Sequence, residues 1–345
     1  MISVVQASDD DRQEWNRFVD SSAEAFAYHS YEWRHVFERA YGHRCFYLVA
    51  RRDNGETCGL LPLVQLRSRL FGNFLVSVPC FSYAGTLATD AGVRKRLIEA
   101  AWSLAQELGA SHVEMRHRNN LGEIGLPSRE DKVSMQLKLP ASSDMLFDDF
   151  PSKLRSQIRR PEKAGAVCVD GGVELLDEFY SVFSRNMRDL GTPVFPRILF
   201  REICENFPDQ TRLFVVSLDG TPCATGMTFG FRDCLEIPFA SSLRRFNRFS
   251  VNMLLYWNVL KHAVSNGYSV FDFGRSTKGT GTHRFKKQWG AEEQPLRWHY
   301  KMRDGQELPK LNPHNPKFRL AAQIWRRLPL ALANSIGPRI VRNLP

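Results

Sequence analysis

The chain has 345 residues, of which 43% are hydrophobic and 24% charged, and it carries a formal net charge of +10. That length is more than one hydrophobic core usually supports, so two domains are expected, and the balance excludes disordered and collagen-like classes. The positive surplus favours an anionic partner, such as a nucleotide, coenzyme A, tRNA or an acidic membrane face, and says nothing about fold. Cys45, Cys58, Cys80, Cys168, Cys204, Cys223 and Cys234 include no CxxC pair, so neither a disulfide framework nor a zinc site is suggested, and no metal is expected. The N-terminus lacks a basic start followed by an apolar run, and no stretch reaches about 18 uncharged apolar residues, so a cytoplasmic, soluble protein is expected.

Along the chain, FYLVARRDNGETCGLLPLVQLR from Phe46 reads as a strand, a tight turn at Asn54-Gly55 and a second strand. RKRLIEAAWSLAQELGASHVEMRH then predicts a helix closed by Gly109 and a strand ending near Arg116. Pro140, Pro151 and Pro161 mark a boundary, with the basic helix KLRSQIRR between the last two. The first plan returns about 160 residues later. LFVVSLDGTPCATGMTFGFR turns at Asp219-Gly220, and VNMLLYWNVLKHAVSNGYSVFDFGR gives a helix and a strand ending near Arg275. Each turn glycine is followed three residues on by a cysteine, Cys58 or Cys223. The order implies layered α/β domains with mixed sheets over residues 1–145 and 146–305, followed by a basic extension, 306–345. In that extension no acidic residue follows Glu307, while Lys310, Lys317, Arg319, Arg326, Arg327, Arg339 and Arg342 surround Phe318, Leu320, Ile324, Trp325, Leu328 and Leu330. Such a helix either packs on a domain or makes peripheral contact with the anionic inner face of the membrane.

The densest set of chemically capable residues is FDFGRSTKGTGTHRFKKQWGAEEQPLRWHY, Phe271 to Tyr300. A strand delivers Asp272 and Arg275 at the end where open α/β sheets place ligands, and a glycine-rich loop with Gly279 and Gly281 offers N–H groups to an anion. Thr280 stands where GxxxxGK[ST] needs its lysine, which argues against an NTPase. Aminolysis of an ester or thioester needs a neutral amine, a held carbonyl and positive charge where the oxyanion develops. Lys286, Lys287 and Arg275 supply that charge, and Phe285 and Trp289 flank the lysines. Asp272 or Glu236 could take the proton if burial raises its basicity; for Asp272 a salt bridge to Arg275 is the competing structural role. Arg155, Arg159 and Arg160 on the helix after Pro151, and Arg244, Arg245 and Arg248 after the second hairpin, are candidate phosphate clamps or plain solvated faces. There is no HExxH or GxSxG motif and no cysteine in a recognisable active-site setting, so a serine or cysteine hydrolase is not expected.

KLRSQIRRPEKAG at 153–165, SSLRRFNRFSVNMLLYWNVLKHA from Ser241, FDFGRST and GTHRFKKQWGAE together resemble the FemAB-type transferases, more narrowly the FemAB-like proteins of exosortase/PEP-CTERM exopolysaccharide loci. That resemblance implies two tandem GNAT-like domains and a cofactor-free transfer of an amino acid from aminoacyl-tRNA, or a similar donor, to an amine of an envelope precursor. By the same resemblance Phe285-Lys286 holds the acyl donor, Tyr83 meets the acceptor, Arg185 and Arg188 point toward it, and Asp90 is a candidate first-domain aspartate. The chain lacks the coiled-coil arm that some members insert. Two alternatives stand beside it: an acyl-CoA-dependent N-acyltransferase, weakened because LRRFNRFSVN lacks the glycines of RxxGxG/A, and a non-catalytic protein binding an envelope precursor.

Overall fold

A computed structural model of the chain describes residues 1–69, 71–118, 124–309 and 316–344. The chain divides into two compact units, one of Met1–Val133, Gln294–Lys310 and Arg342–Pro345, the other of Ser134–Glu293 and Leu311–Val341. In chain order the elements begin β1 (Ile2–Gln6), α1 (Arg12–Ser21), α2 (Trp33–Tyr41), β2 (Arg44–Cys45), β3 (Leu48–Arg52), β4 (Thr57–Leu61), β5 (Val64–Ser68) and β6 (Gly72–Val76). They continue with β7 (Leu87–Ala88), α3 (Ala91–Glu107), β8 (His112–His117), β9 (Ser128–Arg129), β10 (Lys132–Lys138), α4 (Ser143–Asp149), α5 (Ser152–Lys163), β11 (Val167–Gly171), α6 (Leu176–Leu190) and α7 (Arg197–Asn206). The remainder is β12 (Thr211–Leu218), β13 (Thr221–Phe231), β14 (Cys234–Ser242), α8 (Val251–Ser265), β15 (Val270–Thr277), α9 (Gly281–Lys287), β16 (Glu292–Pro295), β17 (Arg297–Met302), α10 (Pro316–Trp325) and α11 (Leu330–Val341).

The first unit holds two sheets, ordered β1-β3-β4-β7 and β2-β5-β6-β8-β17-β9. Its core joins Leu48, Ala50 and Leu61 to Val93, Leu97 and Ala101 on α3. Asp90, the candidate first-domain aspartate, is exposed and caps the start of that helix, its carboxylate accepting the Val93 N–H at 2.9 Å. The second unit is built on one mixed sheet, β11-β12-β13-β14-β15-β10-β16, with α6 and α8 packed on β12 to β14. α8 is apolar nearly all round, and Val251, Leu254, Leu255, Val259, Leu260 and Ala263 are buried. No helix among the described residues is long and apolar enough to cross a membrane.

The repeated plan is present in both halves. Asp219 and Gly220, both at positive φ, make a two-residue turn that matches strand twist, and the β12/β13 ladder closes at Leu218 and Thr221. The β3/β4 turn is wider, with Gly55 N–H bonded to Arg52 O and Arg52 N–H to Glu56 O. In each hairpin the cysteine after the turn donates to a carbonyl of the facing strand, Cys58 to Ala50 and Cys223 to Val216. The helix after Pro151 differs from expectation in running through Pro161 to Lys163, because in its last turn Pro161 keeps a buried ring and Ala164 and Ala166 still find carbonyl partners.

A chain of buried histidines ties β17 to β8 within the first unit. The Thr86 N–H donates to His117 Nε2 at 2.9 Å, so the neutral ring carries its proton on Nδ1 and donates it to His299 Nδ1 at 3.0 Å. His29, whose Nδ1 accepts the Phe26 N–H, donates from Nε2 to Gly85 O. Burial holds His29 at about 4 and, with His299 and Arg94 nearby, holds His117 well below its usual value. The folded state therefore binds fewer protons than the unfolded chain between pH 6.5 and about 4. Stability is complete above that window and falls as pH drops through it, by up to about 1.4 kcal/mol per pH unit for each such histidine. The urea midpoint should fall between pH 7 and pH 5, and His29→Gln should flatten the slope; a wild-type midpoint that does not move over this range would contradict the account.

Candidate active site

β14 and β15 run parallel, yet their paired register covers only Cys234–Val270, Leu235–Phe271 and Glu236–Asp272, although the strands continue to Ser242 and Thr277. Beyond that point β15 bends at Gly274, whose φ of 75° suits a residue without Cβ. The two carboxylates on the last paired rung are buried, Asp272 fully and Glu236 nearly so. Asp272 is held from three sides: Ser134 Oγ at 2.5 Å and the Gly274 N–H at 2.7 Å on Oδ1, and Gln136 Nε2 at 2.9 Å on Oδ2. Ser134 and Gln136 lie on β10, so a strand that precedes the second hairpin in the chain supplies the clamp for its carboxylate.

Lys286 enters this place from α9. Its side chain is only 7% exposed, and Nζ donates to Gly274 O at 2.9 Å and Arg275 O at 3.0 Å, two carbonyls of β15 at the bend. Burial pulls its pKa down to about 8, against the opposing pull of Asp272 and Glu236, while Arg275 adds to the depression. A lysine in this state gives or loses a proton near physiological pH, which an exposed lysine does not.

α9 is fixed on both sides. Thr280 caps its start, Phe285 packs edge-on against Tyr256 of α8, and Trp289 is buried among Phe150, Tyr256 and Phe273. Beside it, a cleft of about 480 Å³ is lined by Leu137, Leu139, Phe150, Lys287, Trp289 and Gly290. The glycine-rich loop is closed on itself: the Gly279 N–H is directed at His283 Nδ1, and His283 Nε2 contacts Glu293 at 2.9 Å, so that N–H is not presented to an anion. Glu293, which spacing gave no reason to single out, gathers Lys278, His283 and Lys287 and is held at about 2 by those hydrogen bonds.

Sequence reasoning thus named Asp272, Glu236, Lys286, Arg275 and Phe285, which the fold gathers around the parting of β14 and β15 or onto α9. Lys287 lies exposed on the outer side of α9, paired with Glu293. Arg155 reaches Asp148 at 3.8 Å, Arg159 lies over Phe147, and Arg160 is exposed. Arg244 and Arg245 are exposed on the turn before α8, where Arg245 covers Phe246. On α6, Arg185 is half-buried, and Arg188 is engaged by Asp189 and by Leu328 O. Tyr83 belongs to the first unit, buried against Phe26 and Tyr28 with the Arg118 guanidinium over its ring. Four residues were missed: Ser134 and Gln136, which hold Asp272, Glu293, and Ser276, whose buried hydroxyl has no hydrogen-bond partner among the described residues. A serine on a strand carries no spacing signal that would have marked it.

Residues 149–287 match the family model of the GNAT acetyltransferase domain. None of the curated proteins matches the chain. Among solved structures it is similar to FemX, with a TM-score of 0.67 at 14% identity, covering 86% of this chain and 96% of that one. It is also similar to a tandem GNAT protein from the clavulanic acid biosynthesis pathway, with a TM-score of 0.58 at 13% identity over 90% of this chain and 100% of that one. L-PGS from Bacillus licheniformis gives 0.57 at 13% identity over 92% and 97%. The bend in β15, the buried carboxylates and Lys286 all fall inside the matched acetyltransferase domain. Residues 149–287 are therefore a GNAT acetyltransferase domain, and the chain as a whole shares the fold of FemX and of that tandem GNAT protein.

Proposed function

We propose that the chain joins an activated carboxyl group, carried by aminoacyl-tRNA or a comparable ester donor, to an amine of a cell-envelope or exopolysaccharide precursor. The observation that carries this reading is the buried Lys286 ammonium beside two buried carboxylates where β14 and β15 part. A donor carbonyl in that opening meets a positive charge in a water-poor setting, where it stabilises a developing oxyanion far better than an exposed lysine would. Asp272, with both oxygens already taken by donors, serves as a fixed negative charge, and Glu236 is assigned the proton of the attacking amine. The likeness to FemX and L-PGS supports an aminoacyl donor. Arg244, Arg245, Arg155, Arg159 and Arg160 are the cations proposed for donor phosphates, and Arg185, Arg188 and Tyr83 those for the acceptor. Precursors held at the inner face of the membrane suit a peripheral enzyme.

The match to an acetyltransferase domain favours a second reading, acyl-CoA as donor. Calorimetry separates them: submillimolar binding of acetyl-CoA or a longer acyl-CoA supports the second, and its absence together with transfer from aminoacyl-tRNA supports the first.

Lys286→Ala should lower transfer by about a hundredfold or more with the fold intact, as loss of an oxyanion-stabilising group does. Full complementation of a deletion strain by this variant would show that the chain acts as a binding scaffold. Because the ammonium is the active form, the wild-type rate should fall as pH rises past about 8. Stability carries an independent signature. Between about pH 8 and pH 10.5 the unfolded chain holds the Lys286 proton and the folded chain does not, so stability attributable to this residue rises with pH. Relative to Lys286→Met, the wild type should gain up to ~3 kcal/mol across that window, and a difference that stays constant would contradict the buried, depressed lysine.

A further inference from the structure

We infer that α10 and α11 form a docking face for an anionic lipid bilayer, with Leu320 and Ile324 as the side chains that enter it. On α10 the small residue Ala322 packs against Gly191, and Trp325 is half-buried, so this is the inward side of the helix. Leu320 and Ile324, one turn apart on the opposite side, are 58% and 57% exposed, and Leu332 on α11 is 44% exposed. This reverses the usual order of a surface helix, which turns its large apolar residues inward. Arg319 and Arg327 stand exposed beside the apolar pair, Arg339 is exposed on α11, and the 38 residues after Glu307 contain no carboxylate side chain. The inward faces are occupied: Arg326 donates to Leu190 O, Asn334 contacts Ser184, and Gly337 lies against Val194. Lys310 lies outside the described residues, and the face does not depend on it.

The chemistry selects the occupant. An apolar strip with a rim of one sign fits a surface that is apolar beneath and negative above, as the headgroup boundary of an anionic bilayer is. A second copy of the chain would bring the same positive rim against its own. A nucleic acid would meet the arginines and gain nothing from Leu320 and Ile324. The inference goes beyond the transfer chemistry and holds whichever donor the second unit takes.

The test is flotation of the full chain with phosphatidylglycerol–phosphatidylcholine vesicles and with phosphatidylcholine alone. The wild type should float with the first and not the second. Leu320→Asn/Ile324→Asn, both solvent-facing and compatible with an unchanged melting temperature, should weaken binding by about tenfold or more, and Arg319→Gln/Arg327→Gln should erase the preference for anionic vesicles. Transfer to an acceptor in free solution should be unchanged in both variants, which separates failure of the docking face from failure of the active site. Absence of wild-type flotation, or unchanged flotation of the asparagine variant, would overturn the inference. So would lipid-free self-association that the asparagine variant abolishes, since that outcome assigns the face to a second copy. Binding to a duplex oligonucleotide that the glutamine variant loses and the asparagine variant keeps, without vesicle binding, would assign it to nucleic acid instead.

Discussion

Two parallel strands that stop pairing midway leave backbone carbonyls and N–H groups in a dry interior, and that unmet demand organises the second unit. β14 and β15 separate after Glu236 and Asp272, and Lys286 supplies the missing donors to Gly274 and Arg275. The demand explains why α9 must lie where it does and why Phe285 and Trp289 lock it against α8. It also explains why Asp272 needs three donors of its own, since a carboxylate on a fully buried rung is tolerable only when its lone pairs are filled. In the proposed reaction a donor carbonyl takes over one of these Lys286 bonds.

The first unit meets the same problem and answers it differently. β6 and β8 pair in parallel only at Leu75–Val113 and Val76–Glu114, and the buried Arg116 donates to the carbonyls of Val78 and Phe81 and to the Glu114 carboxylate. Glu114 and Asp272 thus hold comparable places at the end of a short parallel ladder. Arginine stays charged throughout and its planar head is spread over three acceptors and the Trp298 ring, so this copy is closed. Lysine is a compact group whose pKa moves readily on burial, and burial pulls that of Lys286 in the second unit down to about 8. The cation that fills the first parting thus stands on the strand itself, at Arg116 of β8, whereas the second is filled from α9 by Lys286.

The features legible in the sequence were those written locally. Asp219-Gly220 and Asn54-Gly55 announce hairpins because only a few residue types accept the required backbone, and the apolar spacing of α3 and α8 announces helices because one face must be buried. Lys286 was legible through its neighbours in a dense motif and through the resemblance to the FemAB-type proteins. The partners of Asp272 were not. Ser134 and Gln136 reach Asp272 across 138 and 136 residues, and nothing in their own surroundings marks them. Asp90 was a candidate through the family resemblance alone, and its part in capping α3 shows only in the bond to the Val93 N–H. Pro161 read as a stop because proline usually is one, yet the helix continues two residues past it, and Ala164 and Ala166 close its end on the carbonyls of Arg160 and Pro161. In the C-terminal extension the apolar residues read as one undivided set, and only packing separates half-buried Trp325 from outward Leu320 and Ile324.

The most direct measurement is a crystal structure of the full chain with an unreactive donor analogue, an aminoacyl amide in place of the ester. The account predicts the analogue's carbonyl oxygen within about 3.2 Å of Lys286 Nζ, in the opening between β14 and β15. An analogue seated elsewhere, with that ammonium still bonded only to Gly274 and Arg275, would contradict it.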